Sequence, residues 1–258
     1  MKKRIFCVTL AVCMALLMFA GCTSGTKTDD KTLSESEFFK LAIDQRFDYV
    51  PLFDAGSTFK DTSDYLMYAF ILNADELKEA GTPVTMSKEY VEEVIHSHFL
   101  VSDEIKHRPL LHTWDYADET YTASAWAYNY EPMFRMLSCE MSKMDDKVVY
   151  NVKAMPIGIV ELITGDWINE SAVINSDNPS PELLALFDLA AEYNVKTEGK
   201  TFYEVMVALL DAGAGDKLPQ TKRVDSFSFY IDAESGNAVF LSHQVTFETP
   251  VIDEEAQA

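Results

Sequence analysis

The sequence predicts an α+β fold, in which a mainly antiparallel sheet is packed by N-terminal and mid-chain helices. Segments with apolar residues at helical spacing flank a central region, residues 120–155, in which apolar and polar residues alternate with period two. Short turns join the alternating segments and leave no room for the crossover helices of a parallel sheet. A second alternating region, residues 227–245, predicts a C-terminal hairpin. This combination is typical of the α+β class.

The first part of the folded region is predicted to be helical. Ser34 and Glu37 have the spacing of a capping box, so a helix is expected to begin there and to end before Pro51. A second helix is predicted over about 61–80, where apolar residues cover a broad face and a glycine follows. A third helix is predicted to follow Ser87.

Three strands form the predicted central meander. They cover 120–130, 133–141 and 148–155, and residues 143–147 make the turn between the last two. Helices that lead into a curved antiparallel sheet resemble the NTF2-like arrangement, which is common among exported proteins. The resemblance rests on the order of the elements and concerns the first part of the chain.

Two more helices and the hairpin complete the prediction. One helix begins at Pro181, since proline is favoured in a first helical turn, and the next begins at a second capping box, Thr201 with Glu204. The hairpin turn is expected at 234–237. Across it, three apolar residues are expected to face three others: Phe227, Phe229 and Ile231 against Val239, Leu241 and Val245.

The N-terminus has the layout of an export signal. Lys2, Lys3 and Arg4 precede an apolar run from Ile5 to Ala20. At ~1.5 Å rise per residue this run would cover about 24 Å as a helix, less than the ~30 Å hydrocarbon core of a bilayer. A signal segment is therefore favoured over a permanent transmembrane helix.

The signal ends in Phe19-Ala20-Gly21-Cys22, which resembles the lipobox of bacterial lipoproteins. The resemblance implies cleavage between Gly21 and Cys22, a diacylglycerol thioether on Cys22, and acylation of the new amine. Phe19 stands where the family prefers Leu. An uncleaved signal anchor and cleavage by the ordinary signal peptidase are the alternatives.

The same resemblance implies a location on the extracytoplasmic face of the cell membrane. Thr23 stands where an Asp would retain such a protein at the inner membrane of a cell with two membranes. The acidic composition and the short segment that follows Cys22 favour a Gram-positive surface over a Gram-negative envelope.

Four parts are predicted along the chain: a signal peptide over 1–21, a flexible tether over 22–32, a single α+β domain over 33–249 and an acidic tail over 250–258. The segment 175–180 is rich in Asn, Ser and Pro, and it is the clearest break inside the domain. A subdivision at this segment is the alternative to one domain.

The charge of the chain limits its partners. Loss of the signal would remove three cations and no anion, leaving 18 Lys plus Arg against 42 Asp plus Glu and moving the formal charge from −21 to −24. A nucleic-acid site needs clustered cations, so no nucleic-acid partner is expected. The negative charge also opposes contact with anionic lipid, so attachment to the membrane is expected through the lipid anchor alone.

Cysteine usage predicts a mature fold without a disulfide. Cys7 and Cys13 leave with the signal and Cys22 takes the lipid, so Cys139 is the single remaining thiol. Cys139 alternates with apolar residues in a predicted strand, and we expect it to be buried rather than reactive.

One pattern points to covalent catalysis. Ser57-Thr58-Phe59-Lys60, with Ser176-Asp177-Asn178 downstream, resembles motifs of serine β-lactamases and penicillin-binding proteins. The resemblance implies that Ser57 is the acylated nucleophile and that Lys60 helps to activate it. The chain has no Lys-Thr-Gly, which those families place further along.

The histidines do not predict a metal site, because zinc needs three or four converging ligands. His96 and His98 lie on different sides of a predicted helix, and His98 is expected to pack in the core. His107 and His112 fall in a loop region. Glu92 and His96 have the spacing of an ordinary surface pair. We therefore expect no metal and no cofactor.

Six aromatic residues concentrate around the first predicted strand of the meander: Trp114, Tyr116, Tyr121, Trp126, Tyr128 and Tyr130. On alternate positions, Trp126, Tyr128 and Tyr130 share one face of the strand. Such a face can line a pocket for a sugar or peptide, and the alternative is that the rings fill the core.

The leading hypothesis from the sequence is a lipid-anchored binding module outside the cell membrane. Its partner would be a protein, a peptide or a saccharide. A cell-envelope hydrolase that uses Ser57 and Lys60 is the alternative.

Overall fold

The computed structural model describes residues 32–54, 63–72, 84–101, 107, 114–123, 133–157 and 181–247. The predicted signal peptide and nearly all of the tether, the break at 175–180 and the acidic tail lie outside these residues. The chain divides into two units, Met1–Lys31 and Thr32–Ala258, and all described residues belong to the second.

The described residues form helices and two antiparallel sheets, which confirms the predicted α+β class. The helices are α1 Glu35–Asp44, α2 Ser63–Leu72, α3 Lys88–His98, α4 Pro181–Glu192 and α5 Phe202–Asp211. The strands are β1 Val84–Ser87, β2 Trp114–Ala117, β3 Thr120–Ala123, β4 Phe134–Met144, β5 Lys147–Pro156, β6 Arg223–Ile231 and β7 Ala238–Phe247. Short 3₁₀ turns cover Phe47–Tyr49 and Gly215–Lys217. The NTF2-like arrangement is not confirmed.

The larger sheet has four strands in the order β4-β5-β6-β7, all antiparallel. The predicted strands after residue 133 and the predicted hairpin are both present, and they join in one sheet because β5 pairs with β6. Helices α4 and α5 lie in the connection between those two strands. The two mid-chain helices are therefore inserted between two strands that are antiparallel neighbours in the sheet.

The smaller sheet has three strands in the order β1-β3-β2. It differs from the predicted meander, because the described part of the strand that begins at Thr120 pairs with β1 and β2, and among the described residues it has no pairing with β4. The hairpin between β2 and β3 turns at Asp118 and Glu119, which have positive φ angles of 49° and 57°. Glycine or asparagine usually marks such a turn, so this hairpin carried no signal in the sequence.

Both predicted capping boxes are confirmed. In α1 the Ser34 hydroxyl accepts a hydrogen bond from the Glu37 amide at 3.2 Å, and the Glu37 carboxylate accepts one from the Ser34 amide at 2.8 Å. Thr201 and Glu204 make the same reciprocal pair at the start of α5. These bonds satisfy amides that the first turn of a helix leaves without partners.

Helix α1 separates two apolar cores. Phe38 packs into a main core between the helices and the larger sheet, and the adjacent Phe39 packs into a second core with α4 and α5. At the centre of the main core, the Phe47 ring lies 4.8 Å from the Phe240 ring and 5.0 Å from the Phe227 ring. Edge-to-face and tilted ring contacts of this kind add to the stabilisation by apolar burial.

The start of α1 packs against the 3₁₀ turn at Gly215. A Cβ atom at Gly215 would lie 2.5 Å from the Glu35 carboxylate, so only glycine fits this position without a shift. The buried Arg135 of β4 donates a hydrogen bond to the Gly215 carbonyl. Burial raises the pKa of Glu35, while Arg135 opposes the rise and Asp216 adds to it.

The hairpin of β6 and β7 departs from the predicted facing pairs. A β-bulge between Ser228 and Phe229 shifts the register, so Phe229 lies opposite Phe240. Phe227 and Phe229 are buried, whereas Ile231 at the end of its strand is 37% exposed. An insertion of one residue changes the face on which later side chains lie, and alternation alone does not reveal it.

Candidate functional site

The residues that the sequence singles out for lipidation, catalysis and ligand binding lie outside the described residues, so their roles stay predictions: Gly21, Cys22, Ser57, Lys60, Trp126, Tyr128 and Tyr130. Three members of the predicted aromatic concentration, Trp114, Tyr116 and Tyr121, lie in the described strands β2 and β3. Tyr116 and Tyr121 lie opposite each other, with ring centres 4.6 Å apart.

A histidine completes a group around these two tyrosines. His107 stacks on Tyr116 with ring centres 5.6 Å apart and ring planes inclined by 23°. Its Nδ1 atom lies 2.8 Å from the Tyr121 hydroxyl, and its Nε2 atom lies 2.8 Å from a carboxylate oxygen of Glu92 in α3. We call Glu92, His107, Tyr116 and Tyr121 the tyrosine–histidine cluster.

The hydrogen bonds of the cluster run in one direction. A carboxylate only accepts hydrogen bonds, so Nε2 carries a proton and donates a hydrogen bond to Glu92. In a neutral imidazole Nδ1 is then an acceptor, and the Tyr121 hydroxyl donates to it. The result is a series of two hydrogen bonds that runs from the phenol to the imidazole to the carboxylate. Its three members come from separate parts of the sequence.

The two ends of this hydrogen-bonded series, Tyr121 and Glu92, differ in burial. Tyr121 is fully buried. The His107 side chain is 9% exposed, and the Glu92 side chain is 35% exposed. A partner molecule in solution can therefore reach the carboxylate but not the phenol. The arrangement can present an oriented anionic acceptor, and it holds residue 107 against α3 and the smaller sheet.

A second carboxylate adds negative charge beside the cluster. Its own backbone amide and the Ser87 hydroxyl lower the pKa of Glu89, and Lys88 contributes electrostatically to the same effect. Glu89 lies in the first turn of α3, where the helix dipole also favours an anion. The exposed side of the cluster is therefore acidic.

His98 is a second buried histidine, and it bonds to groups inside the fold. Tyr68 donates a hydrogen bond from its hydroxyl group to the Gln45 carbonyl at 2.9 Å, and the His98 Nδ1 atom lies 3.3 Å from the same hydroxyl oxygen. Burial lowers the pKa of His98, and a hydrogen bond with the Ala238 backbone opposes that change. Burial raises the pKa of Tyr68. The prediction that His98 packs in the core is confirmed.

The described residues do not bring metal ligands together. Glu92 pairs with His107 rather than with His96, which is four residues further along α3. Within the described ranges, no three His, Cys, Asp or Glu side chains converge on a point that could hold an ion.

Arg223, Asp225 and His243 form a charged group on β6 and β7 of the larger sheet. Arg223 donates two hydrogen bonds to Asp225, at 2.8 and 2.7 Å, and Asp225 lies 2.8 Å from the Nε2 atom of His243. The Nδ1 atom of His243 lies 2.9 Å from the Val50 carbonyl. Because both ring nitrogens are occupied, His243 has no free position at which to accept a proton from a nucleophilic hydroxyl.

The sequence analysis did not identify this group or the tyrosine–histidine cluster. Arg223 and Asp225 are two residues apart and share a strand face, next to a strand that contains His243. Alternation could have indicated that pairing, because β6 and β7 were predicted to form a hairpin. The contact of His107 with Glu92 has no such signal, since it joins a loop to a helix.

Cys139 occupies the predicted strand but is only partly buried. Burial raises the pKa of its thiol, and a hydrogen bond with the Leu33 backbone opposes the rise. The neighbouring Leu137 and Met141 are each 38% exposed. A thiol with a raised pKa is a poor nucleophile.

Comparison of the chain with known proteins finds no matching protein family, no matching curated protein and no matching solved structure. Among the described helices, none is long and apolar enough to cross a membrane.

Proposed function

We propose that this protein is a lipid-anchored binding module on the extracytoplasmic face of the cell membrane. One observation carries the proposal: the segment Phe19 to Cys22, which has the form of a lipobox and follows three cations and an apolar run. Helix α1 begins at Glu35, so the tether predicted over 22–32 would join the lipid to the folded unit. Acylation at Cys22 would hold the folded unit near the membrane through the lipid.

Replacement of Cys22 by Ala tests the anchor. We expect the wild-type protein to take up a radiolabelled fatty acid in growing cells and to sediment with membranes. The Cys22→Ala variant is expected to lose the label and to leave the membrane fraction or remain as uncut precursor. Cys139→Ala is the matched control and is expected to keep both properties. Normal labelling and membrane retention of Cys22→Ala would contradict the proposal.

The binding role is assigned to the aromatic residues that come after β3 in the sequence. Trp126, Tyr128 and Tyr130 follow this strand in the sequence, and Tyr121 within the strand is held by His107. Aromatic faces with polar groups beside them suit saccharides and peptides. An acidic exposed side, with Glu89 and Glu92, favours partners that donate hydrogen bonds or carry positive charge.

Co-sedimentation with purified cell-wall polymer, which contains both saccharide and peptide, tests the binding role. The probe protein is the chain from residue 23 onward, which lacks the predicted lipid site. We expect Trp126→Ala to reduce the bound fraction several-fold and Phe247→Ala to leave it unchanged, because Phe247 is a 74% exposed aromatic at the end of β7. Equal binding by both variants, or none by the unaltered protein, would refute this role for the aromatic face.

A further inference from the structure

The segment Val50–Asp54, which we call the strap, lies alongside β7, the last strand of the larger sheet. Phe53 and His243 form an antiparallel bridge, with N–H···O bonds of 3.0 and 2.9 Å in the two directions. The Gln244 side-chain amide donates to the Asp54 carboxylate. Together with the bond between His243 and the Val50 carbonyl, these contacts involve only two residues of β7.

The acceptors around the His243 ring determine its protonation. A carbonyl oxygen only accepts, so Nδ1 must carry a proton to bond with Val50. Nε2 faces Oδ1 of Asp225 at 2.8 Å, and an ionised carboxylate also only accepts. Both ring nitrogens therefore need a proton if Asp225 is ionised.

The surroundings of Asp225 favour its ionised form. Arg223 donates from Nε to Oδ2 and from Nη2 to Oδ1, which is the paired geometry that stabilises a carboxylate. Asp225 is fully buried, so these bonds and the bond with His243 replace its contact with water. A neutral acid at this position would leave the guanidinium without a charged partner.

We infer that His243 is a buried imidazolium and that it latches the strap to the sheet by donating one hydrogen bond to the Val50 carbonyl and one to Asp225. The Phe227 ring covers the imidazolium at 4.3 Å, nearly parallel to it, and so shields it from water. The formal charge of −21 on the whole chain favours retention of a positive charge here. The strap is thus fastened by charge as well as by backbone pairing.

Nitrogen NMR of the unaltered protein, labelled with ¹⁵N-histidine, tests the protonation directly. At pH 7 we expect both His243 ring nitrogens to show the shifts of protonated nitrogen, with Nδ1–H and Nε2–H both visible. His243→Phe identifies the resonance by its loss. One protonated and one bare nitrogen would overturn the inference. The variant serves only for assignment, and the nitrogen shifts themselves are measured on the unaltered protein.

Hydrogen exchange tests whether the charge fastens the strap. In Asp225→Asn we expect the Phe53 amide, which donates to the His243 carbonyl, to exchange about ten- to a hundredfold faster. The Val205 amide in α5 serves as the reference within the same sample. Asp232→Asn is the matched control, because it makes the same change at the exposed turn of the same hairpin.

Two results would refute the latch. In the first, the Phe53 amide exchanges at the same rate in Asp225→Asn and in the unaltered protein. In the second, the Phe53 and Val205 amides accelerate equally, which would mean that Asp225 supports the whole fold rather than the strap.

Discussion

The His107 imidazole lies 2.8 Å from the Glu92 carboxylate and joins a loop position to helix α3 across fifteen residues of sequence. The same ring is hydrogen-bonded to the hydroxyl of Tyr121, which is fully buried. The contact therefore has a consequence for stability that can be measured without knowledge of any ligand.

Replacement of His107 by Gln is expected to lower the free energy of unfolding by about 1–3 kcal/mol. The variant leaves the buried Tyr121 hydroxyl and the Glu92 carboxylate without their common partner. Urea denaturation followed by circular dichroism measures the loss. His96→Gln is the control, because His96 is exposed on α3, and it is expected to change little. Equal losses in the two variants would show that the cluster contributes no stability of its own.

The cap of α1 gives a second prediction. Ser34→Ala removes the acceptor for the Glu37 amide and should cost about 0.5–2 kcal/mol. Ser34→Asp retains an acceptor and should remain close to wild type. Thr32→Ala, two residues earlier and exposed, is the neutral comparison. If Ser34→Asp destabilises the protein as much as Ser34→Ala in thermal melts, the capping bond is not the cause.

The close approach of Gly215 to Glu35 gives a third prediction. Gly215→Ala should destabilise the fold by only about 0.5–1.5 kcal/mol, because the new methyl group would meet the end of the flexible Glu35 side chain, which must shift away from its present rotamer. In a Glu35→Ala background the same change should cost much less, so a double-mutant cycle should show coupling. Additive effects of the two substitutions would place the strain elsewhere.

The buried His98 predicts a pH dependence. Its folded-state pKa is lowered from 6.5, chiefly by burial, so below pH 6.5 the unfolded chain binds a proton that the folded chain does not. Stability should therefore fall as the pH drops from about 7.5 to about 5.5. His98→Gln should flatten this part of the profile and His96→Gln should not. A profile that keeps its slope in His98→Gln would contradict the assignment.

Local patterns predicted much of the fold. The capping boxes at Ser34 and Thr201 depend on residues three apart, and they appear as expected. The turn before Lys147 and the C-terminal hairpin also depend on neighbouring residues. Short-range chemistry decides such features, so one sequence is enough to find them.

Features that depend on distant partners escaped prediction. Strand β1 has only four residues and ends at Ser87, which is also the N-cap of α3, so the helix signal dominated the segment. Its pairing with β3 brings Met86 opposite Tyr121. The cluster at His107 and the bond between His243 and the Val50 carbonyl likewise assemble from residues far apart, and no alternation or spacing encodes these contacts.

The strap contacts have a consequence for the order of folding. Val50 and Asp54 bond to His243 and Gln244 across 193 and 190 positions, and Gln45 reaches Ala238 across 193. A growing or translocating chain cannot close these contacts until its last strand has emerged. Contacts between residues so far apart in sequence slow folding. Until they form, part of the apolar surface of the first helices stays exposed to solvent. Loss of even the final strand would leave the beginning of the domain without its closing partner.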